Sequence, residues 1–254
     1  SEILPIAGDE QPRHQRDAIA CAVRTSDGGF VLSGAKTFVP EGMSATAFVV
    51  AAKSDAGDVE LFLVPANTTG VTRSGMATVD NRDYARVTFS DVAVSAGSHL
   101  GAMPGGELYE QVLNRACAGV AMEMLGVGCF SFEMTLEYLK TRKQFGKVIG
   151  SFQALGHRAA ELYSAQEMAR SCAEAGVIAI DNDADDQAAM SALSKAKAGE
   201  FLFDMSNQLI QIHGGIGMTD DYDAGFYLKR ARALEALYGN QALHRDRYAT
   251  LLGF

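Results

Sequence analysis

The stretch Gln211-Ile212-His213-Gly214-Gly215-Ile216-Gly217 ends a long apolar-periodic segment with three glycines. Apolar residues at three- and four-residue steps predict a helix from about 187 to 212, and glycines directly after it predict a C-cap and a tight turn. No strand precedes the turn, so this is not a Rossmann fingerprint. Its backbone N–H groups are free to approach a phosphate or ribose closely. Upstream, Arg142-Lys143-Gln144-Phe145-Gly146 reads as the close of an earlier helix. A guanidinium there can make charge-assisted bonds to phosphate oxygens, and the ring of Phe145 can pack on a flat heterocycle. The bland alternative is a solvated basic helix end that favours the helix dipole.

Around these motifs the pattern is helical from Gly106 onward. Leu113, Cys117, Val120, Met124, Val127 and Met134 form one stripe. A second helix is expected from Ser151, a plausible N-cap, with Leu155, Leu162, Ala165, Ala169 and Cys172 inward. Asp181 to Asp185 reads as a loop with acidic cap candidates, and a last helical stretch runs from about Ala224 to Leu252. Short loops predict antiparallel packing as a bundle. The preceding half reads as short strands at 18–24, 30–32, 47–53, 60–64, 86–89 and 92–94, with Ser33 to Lys36 taken as a turn signal. The expected class is α+β: an antiparallel β-barrel or sandwich followed by a C-terminal four-helix bundle. The expected boundaries are a tail at 1–8, a β domain at 9–103 and a helical domain at 104–254.

The net charge of −9 argues against a nucleic-acid partner, which would require clustered Lys and Arg. The apolar runs fall short of a membrane span, and no stretch has the organisation of a secretory signal. A cytoplasmic location is the expectation. Cys21, Cys117, Cys129 and Cys172 form no CxxC pair, and the five histidines are scattered, so no metal site is expected.

In this order, the two motifs resemble the C-terminal half of the acyl-CoA dehydrogenases, flavoproteins that remove two hydrogens from the Cα–Cβ bond of acyl-CoA thioesters. Phe30 to Val39 looks like the family's W-x-L-x-G-x-K strand pair, and Asp91 to Val94 with Leu100-Gly101 looks like the end of its middle domain. The resemblance covers about residues 10–254. It implies FAD bound between two chains, with Arg142, Gln144 and Phe145 of one subunit serving the flavin of its neighbour. Gln211, Gly214 and Gly215 would lie against the adenine side, and Phe38 against the flavin ring. Pro40 stands where many members carry a hydroxyl, so that contact is absent or replaced. The family begins with a further helical domain, and Ser1 to Ile6 would be only its tail. Such a layer should cover one face of the β domain, so the expectation is a sequence from which segments were dropped.

The reaction needs a carboxylate base for the α-proton and hydrogen bonds to the thioester carbonyl. The family's usual base lies nine residues after an Arg that matches Arg230, which places Gly239 there; a second branch places it beside an Arg matching Arg115, flanked here by Asn114 and Ala116. Neither place holds a carboxylate. Glu123, among apolar neighbours, is the remaining catalytic candidate, and the bland alternative is that it pairs with a cation. The stretch Gly214 to Tyr227, with Lys229-Arg230 and Gly239-Asn240, looks most like subunits of hetero-oligomeric members acting on steroid side chains or dicarboxylyl-CoA thioesters. The expected partners are an acyl-CoA substrate, an electron acceptor and a homo- or hetero-oligomer. A non-catalytic structural subunit and an acyl-CoA oxidase remain the alternatives.

Overall fold

The computed structural model describes residues 2–101 and 103–254. The chain divides into two compact units, Ser1–Leu113 and Asn114–Phe254, and the division falls inside the helix Gly105–Thr141.

Among the described residues, the first unit holds seven strands: β1 (Ile6–Ala7), β2 (Ala22–Ser26), β3 (Gly29–Pro40), β4 (Ala47–Lys53), β5 (Val59–Pro65), β6 (Val71–Met76) and β7 (Tyr84–Ser95). They pair in the order β1-β4-β2-β3-β7-β6, with β5 on the other side of β4. Most pairs are antiparallel, but β1 and β2 meet β4 in parallel, so the sheet is mixed. β4 is apolar and buried along almost its whole length, as a central strand should be. Phe48, Phe62, Phe89, Val50, Val64, Val87 and Val92 form the core.

Two sequence readings of this unit need correction, and one strand has no counterpart in the sequence reading. Ser33 to Lys36 is not a turn: β3 runs through it, with register shifts at Leu32/Gly34 and Lys36/Val39. A lysine in a strand reads as exposed, yet Lys36 is 1% exposed because Glu10 neutralises it at 2.6 Å. Residues 84–95 form one strand rather than two short ones. β6 went unread because it is an exposed edge strand with no apolar alternation to mark it.

The second unit contains the rest of α1 (Gly105–Thr141), a two-stranded hairpin of β8 (Lys143–Gln144) and β9 (Lys147–Val148), then α2 (Gln153–Asp181), α3 (Gln187–His213), α4 (Ala224–Ala236) and α5 (Gln241–Leu251). α3 is the central helix. Ala192, Ala196, Ala198, Phe201, Leu202, Met205 and Leu209 are all buried; Phe201, Met205 and Leu209 pack with Leu125 and Phe132 of α1, and Ala198 and Leu202 with Ala231 and Leu234 of α4. By length and composition α1 would qualify as a membrane span; half of its most apolar window is buried within the protein.

The last predicted helix is broken in two. Tyr238 (φ +56°) and Gly239 (φ +101°) are consecutive left-handed residues, which no α-helix continues through. Asn240 then caps α5, its Oδ1 accepting from the Leu243 N–H at 3.0 Å. Ser151 does not cap α2. Its hydroxyl donates back to Val148 O, and Phe152 occupies the N-cap without a side-chain acceptor.

Candidate functional site

The segment after α1 is a β-hairpin, not a helix end. Phe145 (φ +52°) and Gly146 (φ +79°) form its two-residue turn, the left-handed pair that matches the twist of paired strands. The Phe145 ring is 91% exposed. Behind it Phe152 stands edge-on at 6.1 Å, with Lys147 Nζ 4.3 Å from the Phe152 centroid. Ile149 N–H donates to Arg142 O and closes the base of the hairpin. The Arg142 side chain is exposed and takes part in none of the ion pairs among the described residues. Gln144 is also exposed, its amide donating to Lys143 O.

The glycine turn lies at the same end of the unit. Leu139 of α1, Ile149 after the hairpin and Ile212 of α3 belong to one apolar cluster, and Phe152 and Leu155 pack on it. Tyr138 also ties α1 to the turn: its ring is 4.3 Å from that of His213, and its hydroxyl donates to His213 O at 3.3 Å. His213 is buried, with Nδ1 against Leu209 O and Nε2 against the Tyr222 hydroxyl, and burial lowers its pKa. Gly214, at φ +63°, caps the end of α3. A Cβ on Gly214 or Gly215 would meet no heavy atom within 4 Å, so the turn is an open cradle. Thus the structure brings Arg142, Gln144 and Phe145 together with Gln211, Gly214 and Gly215 at one end of the helical unit. A cationic group, an exposed ring and an open run of backbone suit a diphosphate joined to a flat heterocycle.

Phe38 belongs to the first unit. It lies in the second register shift of β3 with φ +51°, and its side chain is half-buried. A non-glycine residue held there signals a local constraint.

Glu123 pairs with Arg230. Its Oε1 accepts from Nε at 2.9 Å and from Nη2 at 2.6 Å. This is the bland alternative considered for Glu123: a carboxylate fixed by a cation on a neighbouring helix. Arg115 pairs instead with Asp183, at an exposed position. The Tyr238–Gly239 corner begins two residues after α4 ends. Gly239 is buried, and its φ is one that side chains rarely adopt, so a carboxylate at 239 would be strained. Sequence reading missed the groups holding this corner. Lys195 is 1% exposed and donates to Leu234 O and Gly239 O, both at 3.0 Å, while His244 Nε2 meets Tyr238 O at 2.9 Å. Burial lowers the Lys195 pKa to about 8. Its position on the apolar stripe of α3, between Ala192 and Ala198, was the available signal.

Two family descriptions match the chain: Acyl-CoA dehydrogenase, middle domain, over residues 13–92, and Acyl-CoA dehydrogenase, C-terminal domain, over residues 105–252. The chain belongs to the acyl-CoA dehydrogenase family. Acyl-CoA dehydrogenase IpdE2 of Mycolicibacterium smegmatis is 38% identical over 120 residues, covering 47% of this chain and 37% of that protein. Acyl-CoA dehydrogenase FadE27 of Mycobacterium tuberculosis is 29% identical over 221 residues, covering 83% of this chain and 57% of that one. The crystal structure of the ChsE4–ChsE5 complex from Mycobacterium tuberculosis superimposes with a TM-score of 0.88 at 26% identity, over 99% of this chain and 66% of that chain. The chain spans about half the length of most of the curated relatives it matches. Within this acyl-CoA dehydrogenase fold, the hairpin and the glycine turn belong to the C-terminal domain, and Phe38 to the middle domain.

Proposed function

We propose that this chain is a flavin-binding subunit of an acyl-CoA dehydrogenase-type oxidoreductase that works in an oligomer, with a CoA thioester as substrate. The observation that supports this most is the shared placement of the Arg142–Phe145 hairpin and the Gly214–Gly215 turn. FAD, when bound, supplies the hydride acceptor. In this reading Arg142 binds the diphosphate, Phe145 and Gln144 line the heterocycle, and Gln211 with the glycine backbone takes the adenine side. Because these groups lie on an outer end of the unit with Phe145 almost fully exposed, they serve the flavin of a neighbouring subunit. Phe38 borders the flavin ring on the β side.

The proton-accepting carboxylate comes from a partner chain. Gly239 has no side chain, and Arg230 already engages Glu123. The likeness to ChsE4–ChsE5, itself a complex, supports a hetero-oligomer, and the resemblance carried by Gly214 to Tyr227 favours a steroid side-chain thioester as the substrate class.

The test is the full-length chain purified with and without its partner. Retained flavin with an absorbance band that bleaches on anaerobic addition of a CoA thioester supports the proposal. A colourless assembly would assign a purely structural subunit. Rapid reoxidation in air after bleaching would instead assign an oxidase.

A further inference from the structure

The corner between α4 and α5 is pinned from inside the bundle. Both of its left-handed residues have their carbonyls taken by buried side chains, Tyr238 O by His244 and Gly239 O by Lys195. A carbonyl only accepts, so His244 Nε2 carries the hydrogen of that bond. Lys195 spans the break, because its second acceptor, Leu234 O, lies in the last turn of α4. Leu234 is one helical turn beyond Arg230, the residue that holds Glu123. His244 is fully buried, and its Nε2 is 3.9 Å from Cys117 Sγ.

Lys195 is an expensive way to fill this space. Cys117 of α1 and Glu235 of α4 act on it electrostatically, and none of the ion pairs among the described residues includes it. A buried ammonium satisfied only by carbonyls suffers desolvation that a methionine of similar length would avoid. Its donors meet the two carbonyls that flank a strained turn. A left-handed tyrosine persists only where surrounding contacts over-determine it, and such strain concentrates at functional positions.

We propose that Lys195, assisted by His244, is a positioning residue that holds in one conformation the Leu237–Asn240 corner, where Gly239 stands in the place that the family resemblance gives to the base. Lys195 does not touch the substrate; it acts through the Gly239 backbone and through Tyr238, the side chain the corner carries. The neutral amine still has two hydrogens for its two acceptors, so the clamp survives its own titration. This inference rests on the acyl-CoA reading above.

The test uses the full-length chain in its flavin-loaded assembly. The probes are butyryl-CoA, octanoyl-CoA and a CoA thioester of a steroid bearing a short side-chain acid, titrated against flavin absorbance. Lys195→Met should weaken binding of the responding thioester, or slow anaerobic flavin reduction, by about tenfold at unchanged flavin content. Lys195→Gln, which keeps a two-hydrogen donor on a shorter stem, should give an intermediate loss. If Lys195→Met does not assemble, Lys195→Gln and His244→Gln decide the matter by the same measurement. Variants that melt at a lower temperature yet bind and reduce as the parent does would overturn the proposal, since Lys195 would then be structural only. A parent that holds flavin but responds to no thioester overturns the acyl-CoA reading, and this inference with it; that failure shows in the parent before any variant is made.

Discussion

Glu123 Oε1 accepts two hydrogen bonds from the Arg230 guanidinium, joining helices 107 residues apart in sequence. Glu123 is 42% exposed at its side chain and Arg230 17%. A pair this open to water is worth less than about 1 kcal/mol. Glu123→Gln should therefore lower stability by no more than that in urea denaturation. It should also leave turnover of the assembled protein within a few-fold of the parent. A loss of about 10²–10⁴-fold, the usual contribution of a general base, would instead assign proton abstraction to Glu123.

Arg142→Ala should separate cofactor binding from folding. The side chain is exposed at the base of a surface hairpin, so the melting temperature should stay within a degree or two. A charge-assisted contact to a diphosphate is worth about 1.5–3 kcal/mol, or roughly 10- to 150-fold in affinity. Flavin content after extensive dialysis should fall accordingly. Equal flavin in variant and parent would remove Arg142 from the site.

The corner predicts an asymmetry between neighbouring positions. Gly239 sits at φ +101° and is buried, so Gly239→Ala should cost more than about 1 kcal/mol, and Gly239→Glu more still. Tyr238, at φ +56°, already carries a side chain in the left-handed region. Tyr238→Glu should fold, and it is the better way to bring a carboxylate to this corner. Comparing urea midpoints of the three variants checks the order; a Gly239→Glu protein as stable as the parent would show that the corner rearranges freely.

Two buried groups give opposite pH dependence. Burial lowers Lys195 from its ordinary 10.5 to about 8, so between these values the unfolded chain binds more protons. Stability contributed by Lys195 therefore rises with pH across that window, as the cost of burying a cation is lifted. Burial raises Cys21 from 9.0 to about 11, with Lys36 opposing and Glu10 adding to the shift. Its contribution is complete below pH 9 and is lost as pH rises through 11. Cys129 and Cys172, also raised by burial, act in the same direction as Cys21. The helical unit should thus gain stability from pH 8 to 9 and then level off. Lys195→Met should abolish the gain, and an unchanged pH slope in that variant would contradict the assignment.

Lys36→Met tests the β unit. Lys36 Nζ donates to Glu10 Oε1 and to Gly8 O, and the Glu10 carboxylate also accepts from the Ala20 and Cys21 N–H groups at 2.8 Å. Removing the cation strands a carboxylate whose side chain is only 8% exposed. The expected loss is about 3–5 kcal/mol by chemical denaturation. A loss below about 1 kcal/mol would mean that Glu10 swings out to water.

What the sequence determined by itself is what short-range rules govern. The stripe of α1, the span of α3, the strand 47–53 and the glycine stop after His213 follow from side-chain period and capping, which each segment carries alone. The order of β and helical halves is legible for the same reason. Tertiary structure decided the rest, because it depends on which distant residue arrives. A lysine reads as exposed until Glu10 meets Lys36, or until two carbonyls of a broken helix meet Lys195. The continuous helical pattern over 224–252 gave no notice of the break, whose left-handed residues are held by α3 and α5. The hairpin at 143–148 and the turn at 214–217 are some seventy residues apart in sequence. The packing of Leu139, Ile149 and Ile212, with the Tyr138–His213 contact, places them at one end of the same unit.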